Sequence, residues 1–127
     1  MSADRDRSVK QVIVVRRDLH MRQGKACAQS AHAAMIFLVN AIMLGSDLTQ
    51  EQQEWFVIGM PKIVVRVESA EELSSIAQRA RDAMLTVFEV MDAGHTEFHG
   101  IPTSTCIAIG PNNGNAVDKV TGMLRLL

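Results

Sequence analysis

Lys25, Gln29 and His32 recur at i, i+4 and i+7, a spacing that sets an ammonium, a carboxamide and an imidazole on one stripe of an α-helix. Ala26, Ala28, Ala31, Ala33 and Ala34 surround them, so the helix reads as buried and its polar stripe as the wall of a cleft. A second polar cluster, Asp92-Ala93-Gly94-His95-Thr96-Glu97, contains a glycine at which the chain can turn sharply and bring the Asp92 carboxylate to the Thr96 hydroxyl. Taken alone, an Asp and a Thr around a glycine make a local Asx-type turn more often than a reaction centre. Joined to the Lys25 stripe, they supply a carboxylate that can orient or deprotonate water and a cation that can face an oxyanion or a phosphate. No serine or cysteine lies in a recognisable nucleophile motif, which favours direct attack by water over a covalent intermediate.

These groups need elements to position them. A polar segment to about Ser8 precedes a β-branched strand near Lys10 to Arg16, which delivers Asp18 to a loop. Gly24 turns the chain into a long helix to about Met43, stopped by Gly45. Thr49 with Gln52 reads as a capping box for a short helix carrying Trp55 and Phe56, ended by Gly59 and Pro61. A second strand covers Ile63 to Val67. Ser69 with Glu72 reads as another capping box, opening a helix whose apolar face is Leu73, Ile76, Ala77, Ala80 and Met84. Thr86 to Met91 reads as the third strand, Cys106 to Ile109, bounded by Gly110-Pro111, as the fourth, and Ala116 to Thr121 as the start of a last helix. Strands separated by helices predict an α/β layout with part of the sheet parallel, and the shorter link between the last two strands predicts one antiparallel pairing. Ligands in such sheets gather beyond the carboxyl ends of strands; Asp18 and Asp92 both fall there, so their loops should meet.

The bulk numbers exclude several classes. With 127 residues, 47% hydrophobic and 21% charged, the chain suits one compact core rather than two domains. No uninterrupted apolar stretch of about 18 residues stands out, and the polar opening is unlike a signal peptide, so the expectation is a cytoplasmic protein without a membrane span. Cys27 and Cys106 lack metal-type spacing and read as buried free thiols. Met35, Met43, Met84 and Met91 read as adaptable core filling. Only 4% of residues are aromatic, so contact with nucleic acid would be mostly electrostatic. The formal net charge is −1, yet the first 25 residues hold seven Lys/Arg against three acids, a positive zone beside Gly24 that can hold phosphate.

Several motifs in one order resemble the peptidyl-tRNA hydrolases of the archaeal and eukaryotic type, a family that also has bacterial members, and this chain reads as bacterial-like. The resemblance rests on Asp18-Leu19, Met21, Gly24-Lys25, Ala28-Gln29, His32-Ala33, Pro61-Lys62, Asp92-Ala93-Gly94 with Thr96-Glu97, Ile109-Gly110-Pro111, and Asp118-Lys119-Val120-Thr121-Gly122. It implies a polar tail over residues 1–8 and one α/β domain over 9–127, with a four-stranded mixed sheet flanked by helices on both faces. It further implies a homodimer that hydrolyses the ester between a peptide and tRNA, with tRNA as partner and no cofactor or metal. Carried over residue by residue, it gives active-site roles to Lys25, Gln29, Asp92, Thr96 and Thr105; Asp18, His20, Arg22, His32 and Lys119 are the expected substrate contacts.

The chain departs from that pattern at His20 and Gln23, where many members carry lysines, and Arg22 stands ready to compensate. Between Glu97 and Cys106 it runs one residue longer than the common form, which blurs the match at Thr105. His32 reads more simply as a histidine hydrogen-bonded within a helix packing face than as a catalyst. His95 and His99 lie in a glycine-flanked loop and lack a zinc motif, and Gly24-Lys25 lacks the first glycine and the Ser/Thr of a phosphate-binding loop. The rival reading is a noncatalytic module that binds tRNA or a protein with the same domain.

Overall fold

A run of β-branched residues, Val12-Ile13-Val14-Val15, is buried on both faces and forms the middle of strand β1 (Val9–Arg16). The computed structural model describes residues 8–94 and 98–127. The segment before Ser8, and His95, Thr96 and Glu97, fall outside them. Strands β2 (Lys62–Val67), β3 (Val87–Asp92) and β4 (Thr103–Asn113) complete a four-stranded sheet in the order β2-β1-β4-β3. β1 pairs with β2 in parallel and with β4 antiparallel, and β4 pairs antiparallel with β3. The first three strands therefore share a direction, and their carboxyl ends collect at one edge of the sheet, as the α/β reading requires.

Helices cover both faces. α1 (Gln23–Leu44) and α2 (Gln50–Val57) pack on one side, where Ile13, Val15, Ala33, Val90, Cys106 and Ala108 form one cluster and Val9, Phe37 and Trp55 another. α3 (Ala70–Asp82) and α4 (Gly114–Thr121) pack on the other, over Val12, Val14, Val65, Val67, Ile107 and Ile109. Both arms of the Thr49–Gln52 capping box are present. At α3, Ser69 Oγ accepts from the Glu72 N–H, but the Glu72 carboxylate accepts from the Glu68 N–H instead of closing the second box.

Several expectations are corrected. β4 does not stop at Gly110-Pro111; a register shift between Lys10 and Val12 lets it continue to Asn113 beside Val9. Met84 lies past the end of α3 in the left-handed region, 89% exposed, and Met35, Met43 and Met91 are exposed too, so these four do not fill the core. On α1 only Ala33 and Phe37 are buried, whereas Cys27, Ala28, Ala31 and His32 are exposed. The alanines that made this helix look like core place half of it at the surface. α1 is also long and apolar enough, by length and composition, to cross a membrane, which the sequence reading missed because Lys25, Gln29, His32 and Asn40 interrupt the run. In this fold it lies across the sheet.

Replacing Ile107, which is fully buried, by Ala is expected to cost about 2–5 kcal/mol of unfolding free energy in urea melts. Met84→Ala is expected to stay within about 0.5 kcal/mol; a core-sized loss there would return Met84 to the interior.

Candidate active site

Lys25 sits in the first turn of α1 and Asp92 ends β3, so the helix start and the carboxyl edge of the sheet present opposite charges to each other. Lys25 Nζ donates to Asp92 Oδ2 at 2.6 Å, with the two side chains 18% and 11% exposed. One turn on, Gln29 Nε2 donates to the same oxygen at 3.3 Å. The other carboxylate oxygen accepts from the Gly94 N–H at 2.7 Å, so the local Asx-type turn is real and coexists with the long-range pair. Gly94 has φ +85°, and a Cβ there would meet the Ile101 backbone at 2.4 Å, so no other residue fits this turn. Phe98, just beyond, holds its ring 5.8 Å from Lys25 Nζ. Nothing in the sequence reading singled it out; an aromatic after the glycine turn in so aromatic-poor a chain was the available signal.

Thr105 reaches the cluster through a β-bulge. Val90 pairs with Cys106 and Met91 with Ser104, which leaves Thr105 as the extra residue on β4. Strict alternation would turn Thr105 away from α1, because Cys106 already faces it. The bulge turns both toward the helix: Thr105 Oγ1 donates to Gln29 Oε1 at 2.9 Å, and Cys106 Sγ donates to the Gln29 carbonyl at 3.5 Å. A carboxylate only accepts, so Gln29 must offer its nitrogen to Asp92 and its oxygen to Thr105. The carboxamide is thereby fixed in one orientation.

Arg16, counted in the sequence only as part of the positive zone, braces this edge. Its Nε and Nη2 donate to both Asp18 oxygens at 3.2 and 2.7 Å, and Nη1 donates to the Ser104 carbonyl at 3.2 Å, tying the end of β1 to the residue before the bulge.

The structure thus joins Lys25, Gln29, Asp92 and Thr105, and Thr96 lies outside the described residues. Asp18 sits in the short 3-10 turn Arg17–Leu19 after β1, committed to Arg16. His20 closes that turn, exposed at φ 50°, and Arg22 is the exposed N-cap of α1 with no side-chain cap bond. His32 is exposed on α1, and among the described residues its side chain makes no hydrogen bond within a packing face. Lys119 lies on α4 across the sheet, where its carbonyl accepts from Arg79. Cys106 is buried and free, and burial pushes its thiol up from 9.0 to about 11, partly offset by the Thr105 hydrogen bond, so it is a poor nucleophile at neutral pH.

A carboxylate held by an ammonium and an oriented carboxamide, at the carboxyl edge of a mixed sheet, is an arrangement able to orient water for hydrolysis in an α/β enzyme. The family model for peptidyl-tRNA hydrolase PTH2 matches residues 9–127. Similar proteins include the peptidyl-tRNA hydrolase of Saccharolobus solfataricus, 42% identical over 94% of this chain and 99% of its own. That of Sulfurisphaera tokodaii is also 42% identical over the same shares, and that of Methanothermobacter thermautotrophicus is 40% identical over 94% of this chain and all of its own. This chain belongs to the peptidyl-tRNA hydrolase PTH2 family. These three relatives are archaeal.

At pH 8 a maleimide is expected to modify the exposed Cys27 quickly and Cys106 only after denaturation. Because the folded state holds the Cys106 proton more tightly, that contribution is complete below pH 9 and is lost as pH rises toward about 11. Over this window the wild type should lose on the order of 2 kcal/mol relative to Cys106→Val; parallel stability curves would contradict the assignment.

Proposed function

We propose that this chain hydrolyses the ester joining a peptide, or an N-blocked amino acid, to tRNA, with Lys25, Gln29, Asp92 and Thr105 as its reaction centre and Thr96 as a fifth member. The observation that carries this reading is the 2.6 Å pair between Lys25 and Asp92, which joins residues 67 positions apart at the edge where ligands gather. A water held by the Asp92 carboxylate lies beside the Lys25 ammonium, so attack on the ester carbon places the developing oxyanion next to that cation. The proton leaves the water for the carboxylate, the bond from the carbonyl carbon to the tRNA 3′ oxygen breaks, and the proton passes to that oxygen as the acid departs. Gln29, anchored by Thr105, keeps the carboxylate and water in register. Asp18 and Arg16 shape the edge, while Arg22 extends the positive approach for the tRNA end and His20, exposed at the turn before α1, lies along it.

We further infer a homodimer. Between α1 and β2 an open apolar groove is lined in one part by Met21, Ala26, Cys27, Ser30 and Val64 and in the next by Ser30, Ala31, Ala34, Met35 and Val64. The shared residues make it continuous, and its apolar walls suit a second copy of the chain. A protein acting on tRNA intermediates of translation would meet its substrate in the cytoplasm, and we infer that it works there.

Purified protein incubated with N-acetyl-aminoacyl-tRNA should release the acyl group, and Asp92→Ala should lower kcat by roughly 10²–10⁴ with tRNA binding kept. Thr105→Val should lower kcat by roughly tenfold, through a carboxamide left free to turn. Wild type that binds tRNA but releases nothing above background would establish the noncatalytic module instead. In sedimentation, Ala31→Arg should convert a dimer to a monomer; wild type that sediments as a monomer removes the dimer.

A further inference from the structure

A second cationic site lies along the sheet edge from the reaction centre. β1 and β2 pair so that Val15 faces Arg66, which puts Arg17, one step past β1, beside the carboxyl end of β2. On the far side, the Arg66 N–H donates to the Arg125 carbonyl at 2.9 Å and the Leu127 N–H to the Val64 carbonyl at 3.0 Å, so the last residues add a short antiparallel rung to β2. Arg17 and Arg125 therefore flank Arg66, and all three line one recess of about 360 Å³ with Glu68, Glu72, Met123 and Leu124.

The charges in this recess are unevenly engaged. The Glu72 carboxylate accepts from the Glu68 N–H, a duty at the start of α3. Arg66 Nε is buried and forms an ion pair with the Glu68 carboxylate at 3.5 Å without a hydrogen bond. Among the described residues, Arg17 and Arg125 make no side-chain hydrogen bond or ion pair. Two exposed, unengaged guanidinium groups on either side of Arg66 are placed to grip an anion in the recess with charge-assisted hydrogen bonds. Arg17 also lines the adjoining recess of about 290 Å³ with Arg16, His20, Met21 and Ala26, which reaches the start of α1. Arg17 thus stands between the start of α1 and the recess of Arg66 and Arg125.

We propose that the recess formed by Arg17, Arg66 and Arg125 binds a backbone phosphodiester of the tRNA body, upstream of the 3′ end held at Lys25. The proposal rests on the hydrolase reading above and adds to it the surface that separates a full tRNA from a bare aminoacyl end. A cluster that touches only phosphate positions the nucleic acid and contributes affinity that falls with salt. It does not touch the reacting atoms.

The test uses the triple variant Arg17→Ala, Arg66→Gln, Arg125→Ala, with the two exposed positions also changed alone as Arg17→Ala and Arg125→Ala because they leave Arg66 and its Glu68 ion pair intact. On N-acetyl-aminoacyl-tRNA the triple variant should raise KM about tenfold or more with kcat unchanged, and each single variant should raise it by a smaller factor. On an N-acetyl-aminoacyl trinucleotide carrying only the 3′ end, kcat/KM should match wild type. Filter binding of deacylated tRNA across a salt series should show the slope of log K against log salt shallower by about 1 in the triple variant. An unchanged KM and salt slope would overturn the site, as would an equal loss on both substrates, which marks a disturbed reaction centre. Loss of tRNA affinity in wild type when inorganic phosphate, but not the same ionic strength of chloride, is added would support phosphate as the recognised group. If wild type cleaves neither substrate, the hydrolase reading fails, while the binding arm still decides whether these arginines hold RNA.

Discussion

The contact between Lys25 and Asp92 is the constraint around which this molecule is arranged. It joins the first turn of α1 to the last residue of β3 across most of the chain, with both side chains largely withdrawn from water. An ion pair so placed is weak grounds for stability, because withdrawing two charges from water costs about as much as their attraction returns. Its value lies in geometry: it fixes a carboxylate and a cation side by side at an edge that a substrate can reach.

The sheet topology makes that meeting possible. β1 and β3 point the same way only because β4 runs between them in the opposite sense, so the loop that leads into α1 and the end of β3 come to one edge. α1 then crosses β1, β4 and β3, bringing Lys25 to the last of these and Gln29 over the bulge in β4. The bulge supplies what regular pairing would withhold, a second consecutive side chain on the α1 face, and Arg16 steadies it through the Ser104 carbonyl. Gly94 closes the set by letting the chain turn against the Ile101 backbone where any side chain would collide.

Much of this was legible in the residues. The apolar run of β1, the Thr49 capping box and the Leu73–Ala80 stripe of α3 are local signals, and local physics decides them. The spacing of Lys25 and Gln29 announced a shared helix face, and the motif order pointed to Asp92 as its partner. What escaped depends on facts that no window of sequence contains. The extra residue before Cys106, which blurred the match at Thr105, sits in a stretch whose pairing with β3 absorbs a bulge, invisible until the partner strand is known. Cys27 and Met35 looked like core because apolar composition does not say which side of a helix the sheet covers. Lys119 and Lys25 share a motif set, yet the sheet stands between them. Arg16 and Asp18 looked like surface charge and ligand contact, whereas they hold each other.

The account turns on whether Lys25 and Asp92 act as one unit. A double-mutant cycle with Lys25→Met, Asp92→Asn and the pair together, read as kcat/KM on N-acetyl-aminoacyl-tRNA, measures that coupling directly. Coupled groups predict that the double variant is about as impaired as the worse single one, since either change alone dismantles the arrangement. Losses that multiply, each residue contributing independently of the other, would contradict it.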